Sequence, residues 1–243
     1  MIEDVKNKFV QLKMKTCADN IKQVIDISSE KNWTALQILD HILELEIEIK
    51  NKNRVERLFK ESKLSEKTTI DQFDFSFHKS RKKYKTLILN LLGLEFVKQK
   101  QDIILIGNPG TGKTFLAKTI AFAATQAGIK VLFTTAANMI NHLIAAESDN
   151  SLLKKLRYYQ SPDILVCDEI GYLPLGTQGS NLFFQIISER HEKKSTMITT
   201  NLPFSNWGNI FDSTTIATAI ADRLVYNSEV LIMEGESYRK RMK

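Results

Sequence analysis

The sequence predicts an α/β protein in which a small all-α domain precedes a domain built on a five-stranded parallel sheet. The chain has no glycine before Gly93 and no proline before Pro109, so its first part lacks both residues that most often interrupt helices. From residue 101 onward, short apolar runs alternate with longer helical stretches, which is typical of a parallel sheet with crossover helices. We therefore expect a helical domain at 1–68, a linker and a helix leading into the sheet at 69–100, and the α/β domain at 101–243.

Composition and charge restrict the class of protein. Of the 243 residues, 43% are hydrophobic and 26% are charged, a balance that fits a globular chain and not a disordered or membrane-spanning one. The first fifteen residues, MIEDVKNKFVQLKMK, lack the apolar core and cleavage site of a secretion signal, so we expect a cytoplasmic protein with no membrane partner. Cys17 and Cys167 lie far apart and outside any CxxC motif, which argues against a disulfide framework and a zinc site.

Helices account for the whole of the first domain. Apolar residues recur at helical spacing at 3–15 and again at 21–27. Thr34 followed by Gln37 has the spacing of a capping box, which would open a third, long helix. That helix carries an apolar stripe formed by Leu36, Leu39, Leu43 and Ile47. We expect a small helical bundle that binds a partner or DNA.

A linker and five strand candidates follow the helices. The segment DQFDFSFHKSRKKYK, residues 71–85, alternates polar and aromatic residues in its first half and is strongly basic in its second, and we interpret it as the linker. The strand candidates of the α/β domain are 102–106, 130–135, 164–167, 196–200 and 230–233.

The sequence GNPGTGKT, residues 107–114, matches the phosphate-binding loop G-x-x-x-x-G-K-[ST] at every fixed position, between a strand and a helix predicted at 115–127. Backbone N–H groups of such a loop close around a β-phosphate at the positive end of the helix. Lys113 should reach the β- and γ-phosphates, and the Thr114 hydroxyl should bind Mg²⁺. The residues expected to bind the nucleotide are Gly107, Asn108, Pro109, Gly110, Thr111, Gly112, Lys113, Thr114 and Phe115.

Two acidic residues end the third predicted strand, ILVCDE at 164–169. Asp168 would lie at the carboxyl end of its strand, where ligands bind in open α/β sheets, and could hold Mg²⁺. Glu169 beside it could orient and polarise an attacking water, which favours hydrolysis of a nucleotide over transfer to a metabolite. No N-K-x-D element that would read guanine follows the loop, so ATP is the expected nucleotide.

Two further polar residues are candidates for the hydrolytic machinery. Asn201 follows the fourth strand and could hold the attacking water or touch the γ-phosphate. Arg223, on a predicted helix, could enter the nucleotide site of a neighbouring protomer and stabilise charge in the transition state. Arg190 is the second candidate for that contact between protomers. The predicted catalytic set is thus Lys113, Glu169, Asn201 and Arg223.

Two basic clusters are candidates for contact with DNA. The first, Lys154, Lys155 and Arg157, lies on a helical stretch beside Tyr158 and Tyr159, and it combines phosphate-binding charge with stacking surface. The second lies in the basic half of the linker and includes Lys82 and Lys83. The net charge of +6 agrees with a polyanionic partner, and because no element reads bases, we expect binding to DNA that is largely independent of sequence.

Five sequence blocks in order give the chain a family resemblance over about residues 70–240. They are GNPGTGKTFLA, FTTAANMINHL, ILVCDEIGYLPL, NLFFQIISERHEKKSTMITTNLPFSNWG and GESYR. On these blocks the chain resembles the IstB-like ATP-binding proteins, relatives of the DnaC-type replicative helicase loaders within the AAA+ ATPases. The resemblance implies a Walker A pair at Lys113 and Thr114, a Walker B pair at Asp168 and Glu169, a first sensor at Asn201 and an arginine finger at Arg223.

The resemblance also implies a function: an ATPase that forms oligomers on DNA and helps a DDE transposase, with ATP and Mg²⁺ as cofactors. Two alternatives remain open. One is a replicative helicase loader, in which residues 1–65 would bind the helicase. The other is a small-molecule P-loop kinase, against which Glu169 and Asn201 argue.

Overall fold

The computed structural model describes residues 1–240, which form two compact units, Met1–Arg57 and the described part of Leu58–Lys243. The first unit contains the helices α1 (Ile2–Gln11) and α2 (Lys15–Lys31) and most of α3 (Ala35–Glu61). Residues 58–100 belong with the sheet in the second unit. Among the described residues, no helix combines the length and the apolar character needed to cross a membrane.

The capping box at the start of α3 forms as predicted. The backbone N–H of Thr34 donates to Oε1 of Gln37 at 2.8 Å, and the N–H of Gln37 donates to Oγ1 of Thr34 at 3.3 Å. These reciprocal bonds satisfy two backbone donors that the helix leaves without carbonyl partners.

The apolar stripe of α3 does not face the core of the first unit. Its members Leu36, Leu39, Leu43 and Ile47 are all exposed, whereas Ile38, Ile42 and Leu45 pack with Cys17, Ile21 and Val24 of α2. The first half of α3 has apolar residues on most of its sides, so their spacing in the sequence does not identify one buried face.

The second unit is a parallel sheet with helices on both faces. Three short helices, α4 (Lys79–Lys83), α5 (Lys85–Leu91) and α6 (Glu95–Lys98), precede the sheet. The strands are β1 (Asp102–Gly107), β2 (Val131–Thr135), β3 (Ile164–Ile170), β4 (Ser195–Thr200) and β5 (Ser228–Met233). The helices between them are α7 (Lys113–Gln126), α8 (Ala136–Ser148), α9 (Leu152–Gln160), α10 (Gly176–Arg190) and α11 (Thr214–Tyr226).

All strand pairs are parallel, and the strand order is β2-β3-β4-β1-β5. In the register, Ile104 of β1 lies opposite Ile198 of β4 and Val230 of β5. Because β4 lies between β1 and β3, the loop after β1 and the acidic end of β3 flank the carboxyl end of β4. This order determines the position of the candidate site.

Each face of the sheet is covered by its own hydrophobic cluster. One cluster contains the buried residues of α8, α10 and α11, with Phe183 and Trp207 among its largest side chains. The other contains those of α7 and of the segment before the sheet, including Phe73, Ile88 and Phe96. The two buried faces explain why the strands are almost continuously apolar.

Candidate nucleotide-binding site

The phosphate-binding loop connects β1 to α7 as predicted, and α7 begins at Lys113. Gly112, directly before the helix, has a φ of +102°, which is open to glycine and costly for other residues. A Cβ at Gly112 would also lie 2.8 Å from Nη2 of Arg81. Glycine is therefore required here by both backbone conformation and close packing.

Lys113 is buried within the curve of the loop. Its Nζ donates hydrogen bonds to the carbonyl oxygens of Gly107 at 2.6 Å and Asn108 at 2.9 Å. Burial lowers the pKa of Lys113. The nearby charges of Asp168 and Glu169 oppose this shift, whereas the charge of Arg239 adds to it. The ammonium group is thus held by carbonyl oxygens where the phosphates of a nucleotide would lie.

Thr114 and Asp168 meet at the carboxyl edge of the sheet. The Thr114 hydroxyl donates to Oδ1 of Asp168 at 2.9 Å, and the Thr199 hydroxyl of β4 donates to the same oxygen at 2.5 Å. Asp168 is only 4% exposed. Two hydroxyl groups from neighbouring elements therefore orient a buried carboxylate toward the phosphate-binding loop.

Glu169 follows Asp168 at the same edge of the sheet but is exposed. Its φ is +61°, an uncommon conformation for a non-glycine residue, and the β3–β4 register is irregular between Cys167 and Ile170. Its backbone N–H donates to Oγ1 of Thr199 at 3.0 Å. The local departure from strand geometry leaves the Glu169 side chain exposed beside a buried Asp168.

Glu169 and Asn201 line one cleft of about 420 Å³ together with Lys113, Thr114 and Arg239. Tyr172, which follows the acidic strand, also lines this cleft. The structure therefore brings Lys113, Thr114, Glu169 and Asn201 together around one cleft.

A second cleft, of about 380 Å³, is also lined by Lys113 and is bounded by aromatic side chains. Phe73 and Phe115 stack with ring centres 5.9 Å apart, and Tyr238 and Gln72 complete the wall. An apolar, aromatic cleft next to a phosphate-binding loop fits a nucleobase and its sugar. Phe115 and two of the loop glycines, Gly110 and Gly112, line this cleft.

Several residues of the two clefts were not predicted from the sequence. They are Gln72, Phe73, Arg81, Tyr172, Thr199, Thr200, Tyr238 and Arg239. Phe73 and Arg81 belong to the segment interpreted as a linker, but both are buried in the structure. Tyr238 and Arg239 belong to the GESYR block, the one available signal, and the Tyr238 N–H donates to the carbonyl of Gly110 at 2.9 Å.

The donors at this edge fit a magnesium ion. Thr114 and Asp168 offer hard oxygen atoms side by side, which Mg²⁺ prefers. Within residues 1–240, no group of three or more His, Cys, Asp or Glu side chains could hold a metal by itself. Mg²⁺ at this position would therefore take further ligands from phosphates and water, as is usual for nucleotide sites.

The two candidate arginines for a contact between protomers, Arg223 and Arg190, differ sharply in their exposure to solvent. Arg223 lies on α11, where it donates to the carbonyl of Ala219 at 2.9 Å and stacks 4.7 Å from the ring centre of Phe184. It lines an open surface cleft with Thr214 and Thr218, and it lines neither cleft of the nucleotide site in its own chain.

Arg190 is 1% exposed, and its interpretation as a contact between protomers is wrong. Its guanidinium donates to the carbonyls of Tyr159, Gln160, Pro162 and Ser195 and to the hydroxyl of Thr196. Burial lowers its pKa to about 10. Arg190 joins α10 to the end of α9 and the start of β4 and cannot extend into a neighbour.

The basic candidates for DNA contact lie on two helices. On α9, Lys154 and Arg157 are exposed, and Nζ of Lys155 lies 5.5 Å from the ring centre of Tyr158. Tyr159 is 1% exposed and its hydroxyl lies 2.9 Å from Nδ1 of His142, so its expected stacking on a base is wrong. The second cluster keeps Lys82 and Lys83 exposed on α4.

A five-stranded parallel sheet with a phosphate-binding loop, paired acids and a polar residue after the adjacent strand defines a P-loop protein with the AAA+ fold. The chain belongs to the family of IstB-like ATP-binding proteins, whose family model matches residues 7–243.

Relatives from bacterial insertion sequences match nearly the whole chain. An insertion sequence IS5376 ATP-binding protein of Geobacillus stearothermophilus is 36% identical over 96% of this chain and 92% of its own length. An insertion sequence IS21 ATP-binding protein of Pseudomonas aeruginosa is 34% identical over 96% of this chain and 87% of its own length.

Solved structures of replication proteins share the fold. A DnaC helicase loader superimposes with a TM-score of 0.61 at 20% identity, covering 68% of this chain and 96% of that chain. DnaA from Aquifex aeolicus, bound to AMPPCP, superimposes with a TM-score of 0.59 at 16% identity, covering 72% of this chain and 53% of that chain. These similarities concern the fold alone.

Proposed function

We propose that the protein is an ATPase, stimulated by DNA, that assembles into oligomers on DNA when ATP is bound and assists a DDE transposase. The observation that carries the hydrolytic part is the cleft shared by Lys113, Glu169 and Asn201 beside the Thr114–Asp168 pair. The names of its relatives, ATP-binding proteins of insertion sequences, support the link to transposition. Such a role places the protein with DNA in the cytoplasm.

Each residue of the cleft has a distinct role in this proposal. Lys113 binds the β- and γ-phosphates, and Thr114 with Asp168 holds Mg²⁺, which neutralises phosphate charge when bound. Glu169 orients and polarises the attacking water, and Asn201 senses the γ-phosphate. Arg223 completes the site of a neighbouring protomer, because it lines an open surface of its own chain.

The test of the proposed ATPase is phosphate release measured with and without duplex DNA of arbitrary sequence. DNA should raise turnover, Lys113→Ala should weaken ATP binding, and Glu169→Gln should bind ATP while losing about 10²-fold or more in turnover. Glu189→Gln, on the exposed face of α10, is the matched control and should keep its activity. ATP turnover that is the same with and without DNA and that persists in Glu169→Gln would contradict the proposal.

A second experiment separates the candidate partners. Sizing should show a larger species with ATP and DNA than with either omitted. The protein should then bind the transposase encoded beside it. Capture of the replicative helicase in place of the transposase would favour the loader, and transfer of phosphate to a small molecule without DNA would favour the kinase.

A further inference from the structure

Arg81 is a buried cation that no assigned function uses. It lies on α4 and is 3% exposed, and burial lowers its pKa while Asp74 and Tyr238 oppose the shift. Burying an arginine is costly unless its donors are satisfied. Its contacts therefore indicate what holds it in place.

The guanidinium of Arg81 holds the phosphate-binding loop. Nε and Nη2 donate to the carbonyl oxygen of Thr111 at 3.1 and 2.8 Å, and Nη1 donates to the carbonyl oxygen of Asp74 at 3.0 Å. Thr111 directly precedes Gly112 and Lys113. A forked, charge-assisted contact of this kind restricts both the position and the orientation of the Thr111 peptide.

Aromatic rings surround the same guanidinium. Its central carbon lies 4.3 Å from the ring centre of Phe73, 5.3 Å from that of Phe77 and 5.0 Å from that of Tyr238. Phe77 and Tyr238 also contact each other edge to face, with centres 4.7 Å apart. We name Phe73, Phe77 and Tyr238 the aromatic box; each ring face attracts the buried positive charge.

The 234–240 segment is bound to the region of α4 by further contacts. Nε2 of His78 is hydrogen-bonded to the carbonyl oxygen of Glu236 at 2.6 Å, and the Ser80 hydroxyl donates to that of Glu234 at 2.6 Å. Gly235 has a φ of +129°, and a Cβ there would lie 2.4 Å from the His78 ring. The segment is thus held closely against α4.

The 234–240 segment reaches the phosphate-binding loop as well. The Tyr238 N–H donates to Gly110, and Arg239 lines both clefts of the site. Three segments far apart in sequence, namely the start of α4, the loop and residues 234–240, therefore meet around one guanidinium.

We propose that Arg81 is a positioning residue that couples the 234–240 segment to the phosphate-binding loop and so sets both for nucleotide binding. Arg81 fixes the Thr111 peptide by hydrogen bonds and holds Tyr238 by its ring, and Tyr238 in turn places Arg239 at the clefts. The proposal rests on the nucleotide site of the proposed function but requires neither hydrolysis nor DNA.

The test measures binding of a fluorescent ATP analogue with Mg²⁺ and hydrogen exchange of peptides covering 108–113 and 236–239, both in the full chain. Arg81→Gln should weaken binding about ten-fold or more, because it removes charge-assisted hydrogen bonds to the loop. It should also speed exchange of both peptides without nucleotide. Arg81→Lys should recover thermal stability but not affinity, since an ammonium group cannot reproduce the fork.

Two controls separate positioning from general destabilisation. Phe183→Leu, in the core on the other face of the sheet, should lower the melting temperature while leaving affinity and the exchange of both peptides unchanged. Lys98→Ala removes an exposed cation and should change neither readout. Tyr238→Ala combined with Arg81→Gln should lose less affinity than the product of the single losses, because the two residues act together.

Affinity within two-fold of wild type in Arg81→Gln, or unchanged exchange at 236–239, would overturn the coupling. Equal losses in Phe183→Leu at matched stability would also overturn it. A protein that passes these tests but does not hydrolyse ATP would refute the proposed function and leave the role of Arg81 standing.

Discussion

The Thr199 hydroxyl donates to the buried Asp168 carboxylate at 2.5 Å while its oxygen accepts the N–H of Glu169 at 3.0 Å. One side chain of β4 therefore orients both acids of the candidate site. Because the Thr199 hydroxyl is hydrogen-bonded to both residues, we expect its effect on the reaction to pass through their positions.

Thr199→Val is the direct test of that relationship, since valine keeps the shape of threonine and removes the hydroxyl. We expect turnover to fall about 10- to 100-fold, as when partners that orient metal ligands are lost, with a smaller change in ATP affinity. Phosphate release and binding of a fluorescent ATP analogue give the two numbers. Thr125→Val, whose hydroxyl bonds within α7 at the helix end far from the loop, should leave turnover unchanged.

Arg223→Ala should lose about 10³-fold or more in turnover if the arginine acts on a neighbour's nucleotide. The decisive measurement mixes this variant with Glu169→Gln, each inactive alone. Random mixing in closed rings should restore roughly a quarter of the sites, because those sites combine an intact Glu169 with an intact Arg223. Asp222→Asn is the neighbouring control. An equimolar mixture as inactive as its components would exclude action between protomers.

The basic residues of α9 should determine how DNA binding depends on salt. Replacing Lys154, Lys155 and Arg157 together by alanine should weaken binding to all DNA sequences alike. It should also reduce the slope of the logarithm of the binding constant against the logarithm of the salt concentration by about three. Fluorescence anisotropy between about 50 and 200 mM salt measures both effects. The same measurement on Lys98→Ala is the control. An unchanged slope would remove α9 from the DNA-binding surface.

Asp102 should make the free energy of unfolding depend on pH. Burial raises its pKa to about 7, although the N–H of Thr196 and the charge of Arg190 partly oppose this. The folded protein then binds a proton that the unfolded chain has released, so this group's contribution to stability is full below pH ~4 and is lost as the pH rises to about 7. The loss is at most about 4 kcal/mol.

Urea unfolding of Asp102→Asn against wild type from pH ~4 to ~8 isolates this contribution, because the other carboxylates cancel in the difference. The amide oxygen can still accept the N–H of Thr196. Wild type should lose stability relative to Asp102→Asn as the pH rises. A difference that stays constant with pH would show that folding does not raise the pKa of Asp102.

The sequence predicts the sheet and the phosphate-binding loop because both depend on local patterns. Apolar runs that fill both faces of a parallel strand, and glycines at fixed spacing before Lys113, are readable within about ten residues. The paired acids and Asn201 follow because parallel strands end at one edge. Glu169 and Asn201 do line one cleft, and Asp168 is hydrogen-bonded to Thr114 beside it.

The residues that the sequence did not predict act over long separations. Arg81 lies in a basic, polar stretch typical of a solvated surface, yet it bonds to Thr111, thirty positions away. The prediction that Arg190 contacts a neighbouring protomer was wrong for the same reason. Its hydrogen-bond partners come from α9, the loop after it and β4, and nothing near it in sequence indicates burial. Thr199 is one of several polar residues of β4, and only the register with β3 selects it.

Tyr238 is hydrogen-bonded to the phosphate-binding loop, so the last described residues of the chain lie at the nucleotide site itself. An affinity tag or fluorescent protein fused behind residue 243 would begin only a few residues beyond that contact. Weak nucleotide binding by a carboxyl-terminal fusion would first need to be compared with the untagged chain.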